Sequence, residues 1–144
     1  PVSFAHGNAD RFLDSGWSYP EKWGVWSDGR ESVLSFELYA DEATRLEAVA
    51  LSFQLYFGPS ISEQQIGVSV NDNHVVTWDF DERPGPFKSF RRVIPMPEDL
   101  NKGKVTISLT YDSLRDHTVK GESIDPRALA FGLEEMEWLN EPKR

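Results

Sequence analysis

The chain has 144 residues and a mass of 16.4 kDa, the size of one domain that can bury roughly 68–70% of its unfolded surface and fold without staples. Asp and Glu number 24 against 15 Lys and Arg, a net charge of −9, which disfavours phosphate backbones and anionic membranes and predicts no nucleic-acid partner. There is no cysteine, which excludes disulfides, thiolate metal sites and cysteine nucleophiles, and no apolar run approaches the roughly 20 residues of a membrane helix, so no direct membrane insertion is expected.

The chain opens at Pro1 without a methionine or a charged-then-apolar leader, and is expected to be a processed product or a piece of a larger protein. Three of its five tryptophans, Trp17, Trp23 and Trp26, then fall in the glycine-bounded segment 16–29. Beyond it come short runs of period two, the mark of half-buried strands. Val33–Tyr39 sets Leu34, Phe36 and Leu38 on one face. Leu46–Phe57 sets Val49, Leu51, Phe53, Leu55 and Phe57 on one face and Ala48, Ala50, Ser52, Gln54 and Tyr56 on the other. Ile66–Val70 and Val75–Trp78 flank the turn residues Asn71–His74 and predict a hairpin, without the Asn-Gly pair that favours its tightest form. Phe87–Ile94 is a further strand, stopped by Pro95 and Pro97. Lys104–Tyr111 directs Val105, Ile107, Leu109 and Tyr111 inward. Residues 112–127 form a long loop, and loops of that length inside domains are often functional. Phe131–Leu139 closes the fold, its alternation slipping between Leu133 and Met136, which predicts a bulge. Helix is expected only as short turns at Asp41–Glu47 and Pro97–Leu100. Some seven short strands with few helices predict an all-β fold, a two-layer antiparallel β-sandwich of jelly-roll or carbohydrate-binding-module kind, in one domain over residues 1–144.

Four constellations carry chemistry. In segment 16–29, indoles offer flat faces to the C–H surface of a sugar ring, while Glu21, Ser27 and Asp28 offer hydrogen-bond partners to its hydroxyls. The competing expectation is that the tryptophans plug one end of the sandwich. Asn71, Asn73, Trp78, Asp79, Asp81 and Glu82 suit a hydroxylated ligand or a calcium ion, but without an Asp-x-Asp-x-Asp-Gly loop they are expected to be a solvated rim, so no metal and no cofactor is predicted. Lys88, Arg91 and Arg92 stand out in an acidic chain and suit a phosphate or carboxylate on a polymer, but are expected to pair with Asp79, Asp81 and Glu82. Asp125-Pro126-Arg127 predicts a turn from which Arg127 reaches back to the Trp-rich segment or to an acidic partner. His6, His74 and His117 show no metal spacing, and neither Gly-x-Ser-x-Gly nor a phosphate loop is present, so the domain is not expected to be an enzyme. A small hydrolase or lyase with paired carboxylates is the least favoured alternative.

The run Gly16-Trp17-Ser18-Tyr19-Pro20-Glu21-Lys22-Trp23-Gly24-Val25-Trp26-Ser27-Asp28-Gly29, the run Ser123-Ile124-Asp125-Pro126-Arg127-Ala128-Leu129-Ala130-Phe131-Gly132-Leu133, and the Val68–Val75 hairpin together resemble β-sandwich accessory domains of bacterial membrane glycosyltransferases and phosphoglycerol-transferase-like proteins of surface polysaccharide synthesis. Asp72 stands where those sandwiches usually carry Gly. The resemblance implies a carbohydrate-binding-module-like fold and motif roles for Trp17, Glu21, Trp26, Ser27 and Arg127, with Trp23 where an aromatic is frequent. It implies a larger, envelope-associated membrane protein as parent. The expectation is a non-catalytic domain that binds a glycan or polysaccharide through Trp17, Glu21, Trp23, Trp26, Ser27, Asp28 and Arg127, with the parent enzyme as a second partner. The alternative is an assembly domain that docks on the parent enzyme or dimerises through the flat Ala48, Ala50, Ser52 face.

Overall fold

The computed structural model describes residues 1–39, 45–81, 89–100 and 102–140. Among the described residues nine strands run in chain order: β1 (Val2–Ser3), β2 (Val25–Trp26), β3 (Glu31–Leu38), β4 (Leu46–Leu55), β5 (Gln64–Val70), β6 (Asn73–Phe80), β7 (Ser89–Pro95), β8 (Gly103–Tyr111) and β9 (Phe131–Asn140). They form two antiparallel sheets. In one, β9 lies between β4 and the short strands β1 and β2, with β7 beyond β4; in the other the order is β3-β8-β5-β6. From β2 to β9 the chain crosses between sheets at every step except the β5–β6 hairpin, which is jelly-roll topology.

The period-two runs form these strands because one face of each is covered. Leu34, Val49, Leu51, Phe53, Ile66, Val68, Ile94, Val105, Ile107, Leu109 and Leu133 are all buried between the sheets. Phe53 is the hub: it stacks on Phe131 at 4.5 Å, on Trp78 at 5.6 Å and on Phe90 at 5.8 Å between ring centroids. Trp78 therefore belongs to the core and not to a polar rim. Burial pushes the Tyr111 phenol up from its ordinary pKa, so it packs as a neutral ring.

Two local features follow the sequence reading, although the hairpin turn is tighter than the expected Asn71–His74, its second strand starting at Asn73. The β5–β6 turn places Asn71 at φ 48° and Asp72 at φ 69°. Both central residues are left-handed, as the tight primed hairpin turn requires, and Asp72 meets that demand without glycine. On β9 the register against β4 shifts between Ser52 and Phe53, whose partners are Glu135 and Leu133. Glu134 is the extra residue, so the bulge falls where the alternation slips. The Pro97–Leu100 turn is present, closed by the Leu100 N–H on Pro97 O at 3.3 Å. The turn expected at Asp41–Glu47 lies mostly outside the described residues, and its last two residues already belong to β4.

The free edge of β9 is covered by two strands laid end to end. Val2 and Ser3 pair with Met136 and Glu135, and Val25 and Trp26 with Leu133 and Gly132. The Phe4 N–H donates to Glu134 O at 2.9 Å between them. The excursion over residues 5–24 thus leaves and rejoins one strand line at the bulge, and this places the Trp-rich segment there.

Candidate functional site

Segment 16–29 folds back on itself. The Ser18 N–H donates to Trp26 O at 2.8 Å, Glu21 N–H to Gly24 O at 2.8 Å and Asp28 N–H to Gly16 O at 2.9 Å. Its root and its tip differ in what their side chains do. At the root, the Trp17 indole N–H donates to Val33 O at 2.9 Å, and its ring leans on Phe131 at 6.4 Å. Ser27 is 0% exposed, and its Oγ accepts the backbone N–H groups of Ala130 at 3.2 Å and Phe131 at 2.9 Å. Ser27 is thus not available to a ligand as the sequence reading expected, and the Trp17 N–H is already bonded; both fasten the segment to the sandwich, because a buried N–H without an acceptor is costly. Asp28 is exposed, but its Oδ1 accepts the Ala128 N–H at 2.9 Å, so it too ties two loops together.

At the tip, Trp23 and Trp26 meet edge to face with centroids 5.2 Å apart, and Trp26 meets Tyr56 at 6.4 Å. Glycine makes room for this group. A Cβ on Gly132 would stand 2.8 Å from the Trp23 ring, and one on Gly24 would stand 2.2 Å from Leu133 O. Trp23 therefore lies on the backbone of β9, where a side chain would otherwise be. It walls a groove of about 320 Å³ on the outer face of the five-stranded sheet, with Ser3, Ser52, Ser89, Glu134 and Glu135. In a regular strand, Glu134 and Glu135 would point to opposite faces; the bulge turns both toward the groove. Ser89 Oγ donates to Glu134 Oε1 at 2.8 Å.

Arg127 fulfils its expected reach in both directions. Its Nε and Nη2 form a fork on Asp125, with Nη2 to Oδ2 at 2.7 Å, and Nη1 donates to Ser18 Oγ at 3.1 Å. Nη1 also lies 3.9 Å from Glu21 Oε2, and the guanidinium carbon sits 4.7 Å from the centre of the Tyr19 ring. The Arg127 fork holds the Asp125 carboxyl well below the usual carboxylate range, helped by the Arg127 N–H and by Arg115; Asp125 in return raises Arg127. Arg115, buried, reaches Asp125 Oδ2 at 3.2 Å and lies 5.4 Å from the Tyr56 ring centre.

Loop 112–130 is latched a second time. Tyr56 O–H and Ser60 Oγ both donate to Glu122, and the Ser60 N–H adds a bond at 3.1 Å. Burial alone would raise the Glu122 carboxyl, but these bonds outweigh it and hold it below its ordinary value. Burial, and then Glu122, raise Tyr56.

The sequence reading missed Tyr56, Glu122, Arg115 and the groove residues Ser3, Ser52, Ser89, Glu134 and Glu135. The predicted bulge was the available signal for the last two. The expected pairing of Arg91 and Arg92 with Asp79 and Asp81 is corrected. Arg91 pairs with Glu137 of β9 at 3.5 Å, Arg92 lies over Phe80 and Phe90 at 5.2 and 5.5 Å, and Asp79 accepts from Gln65 at 2.7 Å. Lys88 and Glu82 lie outside the described residues. Among the described residues no group of three or more His, Asp and Glu is placed to hold a metal ion.

No protein-family model matches this sequence, and no curated protein is significantly similar to it. Solved structures are similar in fold. A family 35 carbohydrate binding module from an environmental isolate matches with TM-score 0.50 and 19% identity, over 89% of this chain and 75% of that one. The carbohydrate-binding module CBM36 in complex with calcium and xylotriose matches with TM-score 0.47 and 10% identity, over 88% of this chain and 92% of that one. The CBM36-1 domain of a multidomain xylanase from the hindgut metagenome of Trinervitermes trinervoides matches with TM-score 0.46 and 12% identity, over 83% and 80%. The fold is that of a carbohydrate-binding-module-like β-sandwich.

Proposed function

We propose that this domain binds a glycan without transforming it, and that a sugar ring stacks on Trp23 in the groove of the five-stranded sheet. The carrying observation is the groove itself: one indole propped over Gly132 beside three serines and two glutamates from four different strands. An aromatic wall complements the C–H face of a sugar, and hydroxyls and carboxylates complement its edge. The fold shared with a family 35 carbohydrate binding module supports the reading. Such a shallow, wet site binds weakly, which suffices for a module that raises local concentration for an attached enzyme. The resemblance of residues 16–29 to glycosyltransferase accessory domains supports a parent enzyme of bacterial surface polysaccharide synthesis or modification, and with it a place at the cell envelope.

The test is a screen against immobilised neutral and acidic oligosaccharides, followed by titration of the best binder into wild type and Trp23→Ala. The expected result is a loss of at least about ten-fold in affinity with circular dichroism unchanged. Equal binding by the two proteins would remove the groove from the proposal.

The docking alternative draws less from the structure. The Ala48, Ala50, Ser52 face is not featureless, because β4 lies between β7 and β9 and the Arg91–Glu137 ion pair spans it. The small residues leave room for that pair.

A further inference from the structure

We infer that Tyr19, held from behind by Arg127, is a second stacking platform, and that the domain reads an extended, non-acidic glycan chain instead of a single ring. The inference rests on the glycan-binding reading and deepens it. Tyr19 is 61% exposed, yet its ring is not loose. One face is covered by the Arg127 guanidinium at 4.7 Å. That guanidinium cannot swing away, since Asp125 grips it bidentately and Ser18 takes Nη1 at 3.1 Å. A cation behind an aromatic ring fixes its plane, and a fixed ring loses little entropy when a ligand lands on its open face.

Tyr19 and Trp23 are four residues apart, so their Cα atoms lie within about 14 Å of each other by chain length alone. The turn closed by Glu21 N–H on Gly24 O at 2.8 Å brings them nearer. That spacing is within the span of a short oligosaccharide. The segment between them is fastened by the same Arg127, whose Nη1 faces Glu21 Oε2 at 3.9 Å.

Charge specifies the class of chain. Arg127 and Arg115 are both turned to Asp125, and Glu21 adds a further carboxylate, so neither guanidinium fork is open to a ligand anion. The groove end carries Glu134 and Glu135. A uronic acid or phosphorylated polymer meets two carboxylates in the groove and no open guanidinium beside Tyr19, whereas neutral or amine-bearing sugars meet no such repulsion.

The experiment uses the full 144-residue chain and β-linked glucose, xylose and N-acetylglucosamine oligomers of increasing length, with oligogalacturonate as the acidic arm. Wild type is expected to gain about three- to ten-fold in affinity as the oligomer becomes long enough to reach both rings. Tyr19→Ala should remove that gain and leave short-oligomer affinity unchanged, and Tyr19→Phe should keep it. A length dependence that survives in Tyr19→Ala, or an equal loss at every length, overturns the second platform. Tighter binding of oligogalacturonate than of the neutral chains overturns the charge assignment. Failure of Trp23→Ala to weaken any oligomer, with Tyr19→Ala behaving as expected, removes the groove and the span between the two rings, and leaves Tyr19 as a platform. Failure of every oligomer to bind removes both.

Discussion

The root and the tip of segment 16–29 use the same residue types for opposite ends. At the root, Trp17 gives its N–H to Val33 O and Ser27 gives its oxygen to two buried amides. Every polar atom named there is spent on backbone. At the tip, Trp23 lies against Gly132 with its remaining surface on an open groove, and Tyr19 lies on Arg127 with its outer face in water. The difference is set by what stands opposite in the sheet. Ser27 forms a bridge with Trp17 and donates its own N–H to Phe131 O at 2.7 Å, which draws both residues against the core. Trp23 follows the turn, where the strand line is interrupted by the bulge. An aromatic is a core residue or a platform according to whether its polar atom and both faces are already used.

Substitutions sharpen that contrast. The largest effect is expected at the root. Trp17→Ala removes a half-buried indole and its bond to Val33, and should lower stability by about 3 kcal/mol in urea unfolding. Ser27→Ala leaves the Ala130 and Phe131 N–H groups buried without an acceptor and should cost about 1–3 kcal/mol. At the tip, Trp23→Ala should change stability by less than about 1 kcal/mol while it abolishes most glycan binding. If Trp23→Ala proved as destabilising as Trp17→Ala, root and tip would be one structural unit and the distinction would collapse.

Much of the fold was legible because burial imposes a period of two. The core faces of β3, β4, β5, β8 and β9 follow directly from Leu34, Val49, Ile66, Val105 and Leu133. The hairpin turn was legible from Asn71 and Asp72, which tolerate left-handed backbone. Strand order was not legible, since β9 pairs with β1, β2 and β4, all distant along the chain, and nothing in a strand's pattern names its neighbour. The site was legible in part. Trp23 meets Trp26 and Glu21 faces Arg127, as two separate pairs, while Trp17, Ser27 and Asp28 were read by residue type, which does not say what is opposite. Glu134 and Glu135 escaped notice although the bulge between Leu133 and Met136 was foreseen, because its consequence, two successive side chains toward one groove, depends on which face of β9 is outward. Tyr56, Ser60 and Glu122 meet only through the β4–β5 and β8–β9 connections, whose course no local pattern specifies.

The loop 112–130 gives the contrast a pH dependence. Asp125 is held below its ordinary pKa first by the Arg127 side chain, and Glu122 by Ser60 and Tyr56 against the opposing effect of burial. Both carboxylates bind a proton less readily folded than unfolded. Their contribution is therefore fully present above the unfolded values, about 3.9 for Asp and 4.3 for Glu, and is lost as pH falls from there through the depressed folded values. The bonds of Trp17 and Ser27 to the sandwich involve no titratable group. Acidification from about pH 4 downward should thus progressively weaken the hold on the loop, and with it on Arg127 and the Tyr19 platform, before the Trp17 and Ser27 bonds loosen. Hydrogen exchange of the Arg127 and Ser60 amides should quicken on acidification, relative to the intrinsic rate, while that of Phe131, bonded to Ser27, should not. Thermal unfolding gives an independent measure. The melting temperatures of wild type and Asp125→Asn should differ most at neutral pH and converge as pH falls, because the variant has already lost what protonation removes. Curves that stay parallel down to about pH 3 would show that the Asp125–Arg127 fork adds nothing that a proton can take away.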